Sequence, residues 1–308
     1  MALRSWAAIL AGGDGKRLLR LTRLISRDNR PKQFCPIFGG ATLLAQTRAR
    51  IRPAFSQERT LFTVVKTHES YYAPELRDVP LSRVVVQPDN RGTTAAILVT
   101  LLRVLRFEQD AVVTFFPADH HFSNEASLLD AVDTAAGAIR LYPESIILLG
   151  AAPQYPEVEY GWIEPGSRVP SSRSSLFRVR RFWEKPAHKA ANLLMDRGCL
   201  WNTFVMVGRA RAFLDAIALA VPDVRATLAR SGAHSADSLF DTLVPGDFSR
   251  QVLAACTERM LVLRLNGTEW SDLGTPERVF ATLKREGVPS EIPEYIEVRS
   301  LCDVTRAR

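Results

Sequence analysis

The chain has 308 residues, 46% of them hydrophobic and 24% charged, a globular composition able to bury a sizeable core as one large α/β domain or two ordinary ones. Forty basic against 33 acidic side chains give a net charge of +7, yet the surplus is dispersed. Its densest cluster, Arg17 to Arg30, adjoins a glycine loop rather than forming a tail, which fits small polyphosphates and argues against a nucleic-acid partner, while no apolar run approaches the roughly 20 residues of a membrane span.

The apolar start, Trp6 to Leu10, is short and runs through Ala11 into Gly12 and Gly13, so it reads as a buried first strand and not as a signal peptide. Further strands are expected at Thr60–Val65, Val84–Gln87, Ala111–Phe116 and Ile146–Leu149, with helices around Leu43–Ile51, Ser70–Leu76, Thr93–Phe107 and Ala126–Ile139. Near-continuous apolar strands alternating with helices predict an α/β protein: a mostly parallel central sheet with helices on both faces. Ligands in such sheets bind beyond the carboxyl ends of the strands. From about residue 152 the pattern changes, with prolines at 153, 156, 165 and 170 and the polar stretch Ser171–Ser175. A strand at Phe177–Trp183 and helices at Ala187–Met195, Arg209–Val221 and Pro276–Arg285 follow. Residues 153–308 are expected to fold against 1–152 as an inserted acceptor-binding lobe within a single domain. Cys35, Cys199, Cys256 and Cys302 are far apart, with no CxxC and no metal-ligand spacing, as suits reduced thiols in a cytoplasmic protein.

Two short segments carry most of the chemistry. In Leu10-Ala-Gly-Gly-Asp-Gly-Lys-Arg-Leu18, three glycines directly after a strand let backbone amides approach an anion closely, and Lys16 and Arg17 add positive charge. It is neither a P-loop nor the dinucleotide GxGxxG pattern. The second segment, Arg30-Pro-Lys-Gln-Phe34, places Lys32 a short distance downstream.

Together these segments resemble the sugar-phosphate nucleotidyltransferases, and within them the mannose-1-phosphate guanylyltransferases. The resemblance recurs in order along the chain: Gln87-Pro-Asp-Asn-Arg-Gly-Thr93, Phe116-Pro-Ala-Asp-His-His121, Tyr160-Gly-Trp-Ile163, Phe182-Trp-Glu-Lys-Pro186, Leu200-Trp-Asn202 and Trp270-Ser-Asp-Leu-Gly274. It implies a Rossmann-like nucleotidyltransferase fold and transfer of GMP from GTP to α-D-mannose 1-phosphate, with Mg2+ as cofactor. Arg17, Lys32, Asp119, Lys185 and Asp272 are the catalytic residues it implies, Asp119 and Asp272 doubling as metal ligands. Arg17 and Lys32 would hold the triphosphate, and Lys185 the acceptor phosphate. Gly12, Gly13, Gly15, Gln87, Gly92 and Thr93 would contact the nucleotide, with Gly12 and Gln87 facing the base. Tyr160, Gly161, Glu184 and Asn202 would contact the sugar. The attacking phosphate oxygen is already ionised, so direct displacement without an acid–base residue is expected. Adjacent side chains on an extended segment point apart, so His120 and His121 are expected to be structural rather than joint metal ligands; Trp183 and Trp201 are expected in the core.

The chain departs from the family pattern in two places. Arg91-Gly-Thr-Thr-Ala-Ala96 replaces R-N-T-A-P-A, which leaves another base open, and Pro156-Glu-Val-Glu-Tyr-Gly161 replaces P-E-T-G-Y-G. There Val158 lacks a hydroxyl and Glu159 adds a side chain, so another sugar 1-phosphate, or a nucleotide-sugar-binding regulatory protein with weak turnover, stays open as well. The chain runs 34 residues past Gly274, so neither a cupin domain nor a long β-helix tail is expected, and any homodimer would form through the catalytic domain.

Overall fold

The computed structural model describes residues 5–170, 176–231, 240 and 243–288. The serine stretch 171–175 and Cys302 lie outside them. Eleven strands are described: β1 (Trp6–Leu10), β2 (Thr60–Val65), β3 (Val84–Gln87), β4 (Val112–Pro117), β5 (His121–Phe122), β6 (Ile146–Ala151), β7 (Gly161–Arg168), β8 (Leu176–Glu184), β9 (Leu200–Arg209), β10 (Met260–Arg264) and β11 (Trp270–Ser271). The helices are α1 (Leu19–Ser26), α2 (Leu43–Ile51), α3 (Glu69–Glu75), α4 (Gly92–Leu105), α5 (Glu125–Ala138), α6 (His188–Asp196), α7 (Ala210–Ala220), α8 (Pro222–Ser231) and α9 (Pro276–Arg285). None of them is long and apolar enough to cross a membrane.

Nine strands form one sheet in the order β3-β2-β1-β4-β9-β6-β10-β8-β7. Alternation along β1 shows how it is covered. Trp6 and Ala8 enter a core shared with α4 and α7, while Ala7 and Ile9 enter a second core shared with α2, α3, α5 and α6. Both faces are therefore buried under helices, as expected. The expectation of a mostly parallel sheet is corrected. Pairing is parallel among β3, β2, β1 and β4 and between β6 and β10, but β9 runs antiparallel to β4 and β6, and β7 and β8 are antiparallel as well. The antiparallel partners come from the second half, whose strands are threaded into the first-half sheet: β9 lies at its centre.

Two local devices aim the sheet at one end. The short antiparallel ribbon β5–β11 pairs His121 with Ser271 and Phe122 with Trp270, so the residues on either side of it, Asp119 and Asp272, are drawn together from distant sequence. Immediately afterwards Thr275 caps α9 by accepting from the Arg278 amide, with Pro276 in the first turn. This fixes where α9 starts and brings Arg278 under Asp272. A third apolar cluster (Leu18, Leu21, Cys35, Ile37, Leu43, Leu273, Val279 and Leu283) binds α1 and α9 beside the glycine loop.

Candidate active site

A cleft of about 570 Å³ opens at the carboxyl ends of β1, β3 and β4, and every candidate site residue named from the sequence lines it. On the nucleotide side the two sequence segments are packed against each other. The Gln33 amide donates to the carbonyls of Ala11 (3.0 Å) and Gly13 (2.7 Å), tying down the glycine loop. Gly15 has φ +62°, and a Cβ there would lie 3.0 Å from the Lys32 amide nitrogen, so only glycine lets this loop rest on the segment that carries Lys32. A Cβ on Gly12 would lie 3.3 Å from Gln87 Nε2. Gln87 is buried and its Oε1 has no hydrogen-bond partner. A buried unmatched acceptor carries a desolvation cost that a ligand N–H would relieve. Gly92 and Thr93 serve the wall itself. Gly92 has φ +81° with the Gly246 carbonyl where a Cβ would go, and Thr93 Oγ1 accepts from the Phe248 amide at 2.8 Å.

Lys32 bridges the Asp119 carboxylate and the Asp272 backbone. Its ammonium is 3.3 Å from Asp119 Oδ2 and donates to the backbone carbonyl of Asp272. Asp272 Oδ1 accepts from the Tyr160 hydroxyl at 3.1 Å and the Gly274 amide at 2.8 Å, and Arg278 Nε lies 2.9 Å away. Burial penalises the Asp272 carboxylate most, but Lys32, Arg278, His120 and the Gly274 amide outweigh it and hold the carboxyl below its usual range. The Tyr160 phenol is pushed up by burial and by Asp272. The two histidines diverge. His120 is in the cleft, with Nδ1 3.1 Å from the Thr203 carbonyl and 3.2 Å from Trp270 Nε1. His121 stacks on Phe38 and reaches Glu286. Burial lowers the His120 pKa to about 4, so the ring is neutral at ordinary pH.

The opposite wall comes from β7, β8 and β9. Gly161 pairs with Glu184 across the β7–β8 ladder, and the Lys185 amide donates to the Tyr160 carbonyl at 3.1 Å. A Cβ on Gly161 would sit 2.7 Å from the Phe182 ring and 3.0 Å from Glu184 Oε2. Glu184 is raised by burial and by nearby Asp247, and Lys185 Nζ is 3.7 Å from Glu184 Oε1. Lys185 and Phe204 both adopt positive φ, +48° and +60°. Asn202 Oδ1 accepts from the Phe204 amide at 3.1 Å and so supports the second of these. Where β9 passes β6 the register shifts, a bulge or irregularity beside Asn202, which lines the cleft.

Comparison with known proteins places this cleft in context. The family model described as Nucleotidyl transferase matches residues 6–285. The chain belongs to the nucleotidyl transferase family. It is 27% identical over 293 residues to a mannose-1-phosphate guanylyltransferase of Escherichia coli, covering 91% of this chain and 60% of that protein. A second one, of Klebsiella pneumoniae, is 28% identical over 281 residues, covering 87% and 57%. The chain thus spans less than two thirds of the length of these curated relatives. A crystal structure described as mannose-1-phosphate geranyltransferase from Thermus thermophilus superposes with a TM-score of 0.80 at 27% identity, covering 94% of this chain and 80% of that one.

Within this nucleotidyl transferase, three residues have surroundings that the sequence did not foretell. Tyr160, expected on the sugar, lines the cleft with its ring buried and its hydroxyl donating to Asp272. Gly92 lines the cleft and is required there by its φ and by the approach of Gly246. Trp201 is core as expected, but Trp183 is half-buried with the Arg181 guanidinium 3.7 Å over its ring. Other residues were missed. Arg278, buried against Asp272 and Glu157, lies in an ordinary helical pattern, and nothing in its spacing signals a partner. Asp247 and Ser249 line the cleft from a segment with no periodicity, where Ser249–Leu253 makes a π-helical turn. Gln33 alone had a signal, because it sits inside the Arg30–Phe34 segment.

Proposed function

We propose that the protein transfers GMP from GTP to α-D-mannose 1-phosphate, releasing pyrophosphate. The observation that carries this reading is one cleft in which Arg17, Lys32 and Lys185 face Asp119 and Asp272 between a glycine loop and a wall of hydrogen-bonding side chains. Joining two anions is chiefly a matter of positioning and charge neutralisation, and this residue set supplies both. The relatives' names support mannose 1-phosphate and guanylyl transfer, and the unmatched Gln87 acceptor beside Gly12 suits a base N–H.

Arg17 and Lys32 hold the triphosphate, Lys185 draws in the acceptor phosphate, and Glu184 and Asn202 accept or donate to sugar hydroxyls. Tyr160 and Arg278 hold Asp272 in place. The donor set fits magnesium. Asp119 and Asp272 both line the cleft, and two carboxylates with substrate phosphate oxygens are a set magnesium accepts. Asp119 and Asp272 would hold it, and when bound it would neutralise charge on the phosphate oxygens. The acceptor oxygen is ionised at neutral pH, so no side chain need remove a proton.

Pyrophosphate release by the purified protein with magnesium, over four ribonucleoside triphosphates and dTTP, each with mannose 1-phosphate or glucose 1-phosphate, tests the assignment. Release confined to GTP with mannose 1-phosphate is expected. Release with another pair would move the specificity, and GDP-mannose binding without turnover would indicate a regulatory protein instead.

A further inference from the structure

Arg17 and Glu159 come from opposite walls of the cleft, 142 residues apart in sequence, and meet with Nη1 3.0 Å from Oε2. Each side chain is 46% exposed, so the pair spans the wet mouth of the site and not the core. The Glu159 amide donates to Glu157 Oε1 at 2.8 Å, Glu157 Oε2 lies 2.8 Å from Arg278 Nη1, and the Glu157 carbonyl accepts from Trp162 Nε1 at 2.8 Å. Arg278 and Trp162 are buried. The backbone beneath Glu159 is therefore anchored to the core. Arg17 reaches out from the single helical turn Lys16–Leu18 that follows the glycine loop. Arg17 is held as well, between Gly15 on the Lys32 segment and the buried Leu18, so the ion pair joins two anchored backbones through two exposed side chains.

A guanidinium fork matches a phosphate as well as it matches a carboxylate. We propose that Glu159 is an intramolecular competitor for Arg17 that sets how much negative charge a ligand must bring to capture the guanidinium. The proposal rests on the reading of Arg17 as a polyphosphate cation and deepens it. A triphosphate or inorganic pyrophosphate carries several charges and displaces the single carboxylate. A sugar monophosphate, or a sugar nucleotide with its diphosphate esterified at both ends, carries fewer and displaces it less. Glu159 is thus a specificity-determining residue, and it occupies the loop position where this chain departs from its family pattern.

Calorimetric titration of inorganic pyrophosphate into the full chain, Glu159→Gln, Arg17→Gln and the double variant tests this. Glu159→Gln is expected to bind pyrophosphate about two- to fivefold more tightly at low salt, the range an exposed ion pair spans. The gain should shrink as ionic strength rises and vanish when Arg17 is also replaced. Unchanged or weaker binding by Glu159→Gln, with Arg17→Gln weakened, overturns the proposal alone. A gain that persists in the double variant reports general repulsion and also overturns it. Pyrophosphate binding insensitive to Arg17→Gln would overturn the reading of Arg17 itself.

Discussion

Lys32 reaches the cleft because Gly15 has no side chain, and it stays there because Asp119 and the Asp272 carbonyl receive its charge. Residues of this kind were legible in the sequence: glycines, cations and carboxylates announce their chemistry by type and by closeness to strand ends. Arg278 was not, since its role depends on a partner reached only after α9 is capped and packed. If Asp119 and Asp272 hold the metal, Asp119→Asn and Asp272→Asn should each lower magnesium-dependent turnover by roughly two orders of magnitude or more with an unchanged circular dichroism spectrum. Near-normal turnover in either variant would remove that residue from the metal site. Lys185→Ala should raise the KM for the sugar phosphate and leave the KM for the triphosphate in place. A change confined to the triphosphate would reverse the two sides of the cleft.

At the scale of elements, the first four parallel-paired strands and α2, α3 and α4 between them follow directly from apolar periodicity, whereas α1, among the arginines after the glycine loop, was not expected. Nor was β9, because a central strand antiparallel to both neighbours, bulged near Asn202 and begun by Leu200-Trp-Asn, carries no period that marks its place in the sheet. The β5–β11 ribbon is two residues per strand, too short for any pattern, yet it joins Asp119 to Asp272. Gly92 illustrates a family departure explained by the fold. Asparagine also tolerates positive φ, but here the Gly246 carbonyl would lie 2.3 Å from a Cβ. Gly92→Ala is therefore expected to destabilise the protein by about 1–3 kcal/mol, seen as a lower midpoint in thermal denaturation. An unchanged midpoint would show that the 243–248 segment moves aside freely.

Across the whole molecule, both halves of the chain build one sheet and one cleft, so the chemistry of the site is written into the stability of the fold. His120 is the clearest link. Its folded pKa lies near 4 against 6.5 for an ordinary histidine, chiefly because burial disfavours the charged ring. Between those values the unfolded chain binds a proton that the folded chain does not, so stability rises with pH across this window and is lost as pH falls from 6.5 toward 4. In the presence of a chelator, His120→Asn should flatten the acid limb of the stability curve by up to about 1.4 kcal/mol per pH unit. An acid limb identical to the parent's would mean the ring titrates normally. The α/β class and the helices on both faces were legible from patterning, whereas the mixed pairing of the sheet was not, because it depends on strands far apart in sequence, such as β4 and β9, where Val112 pairs with Arg209. The most direct measurement of the central claim is the stereochemical course at the α-phosphorus, followed with a chiral α-thio nucleoside triphosphate and a sugar 1-phosphate. Direct in-line displacement within this one cleft predicts inversion, and retention, which requires a covalent nucleotidyl-enzyme, would contradict it.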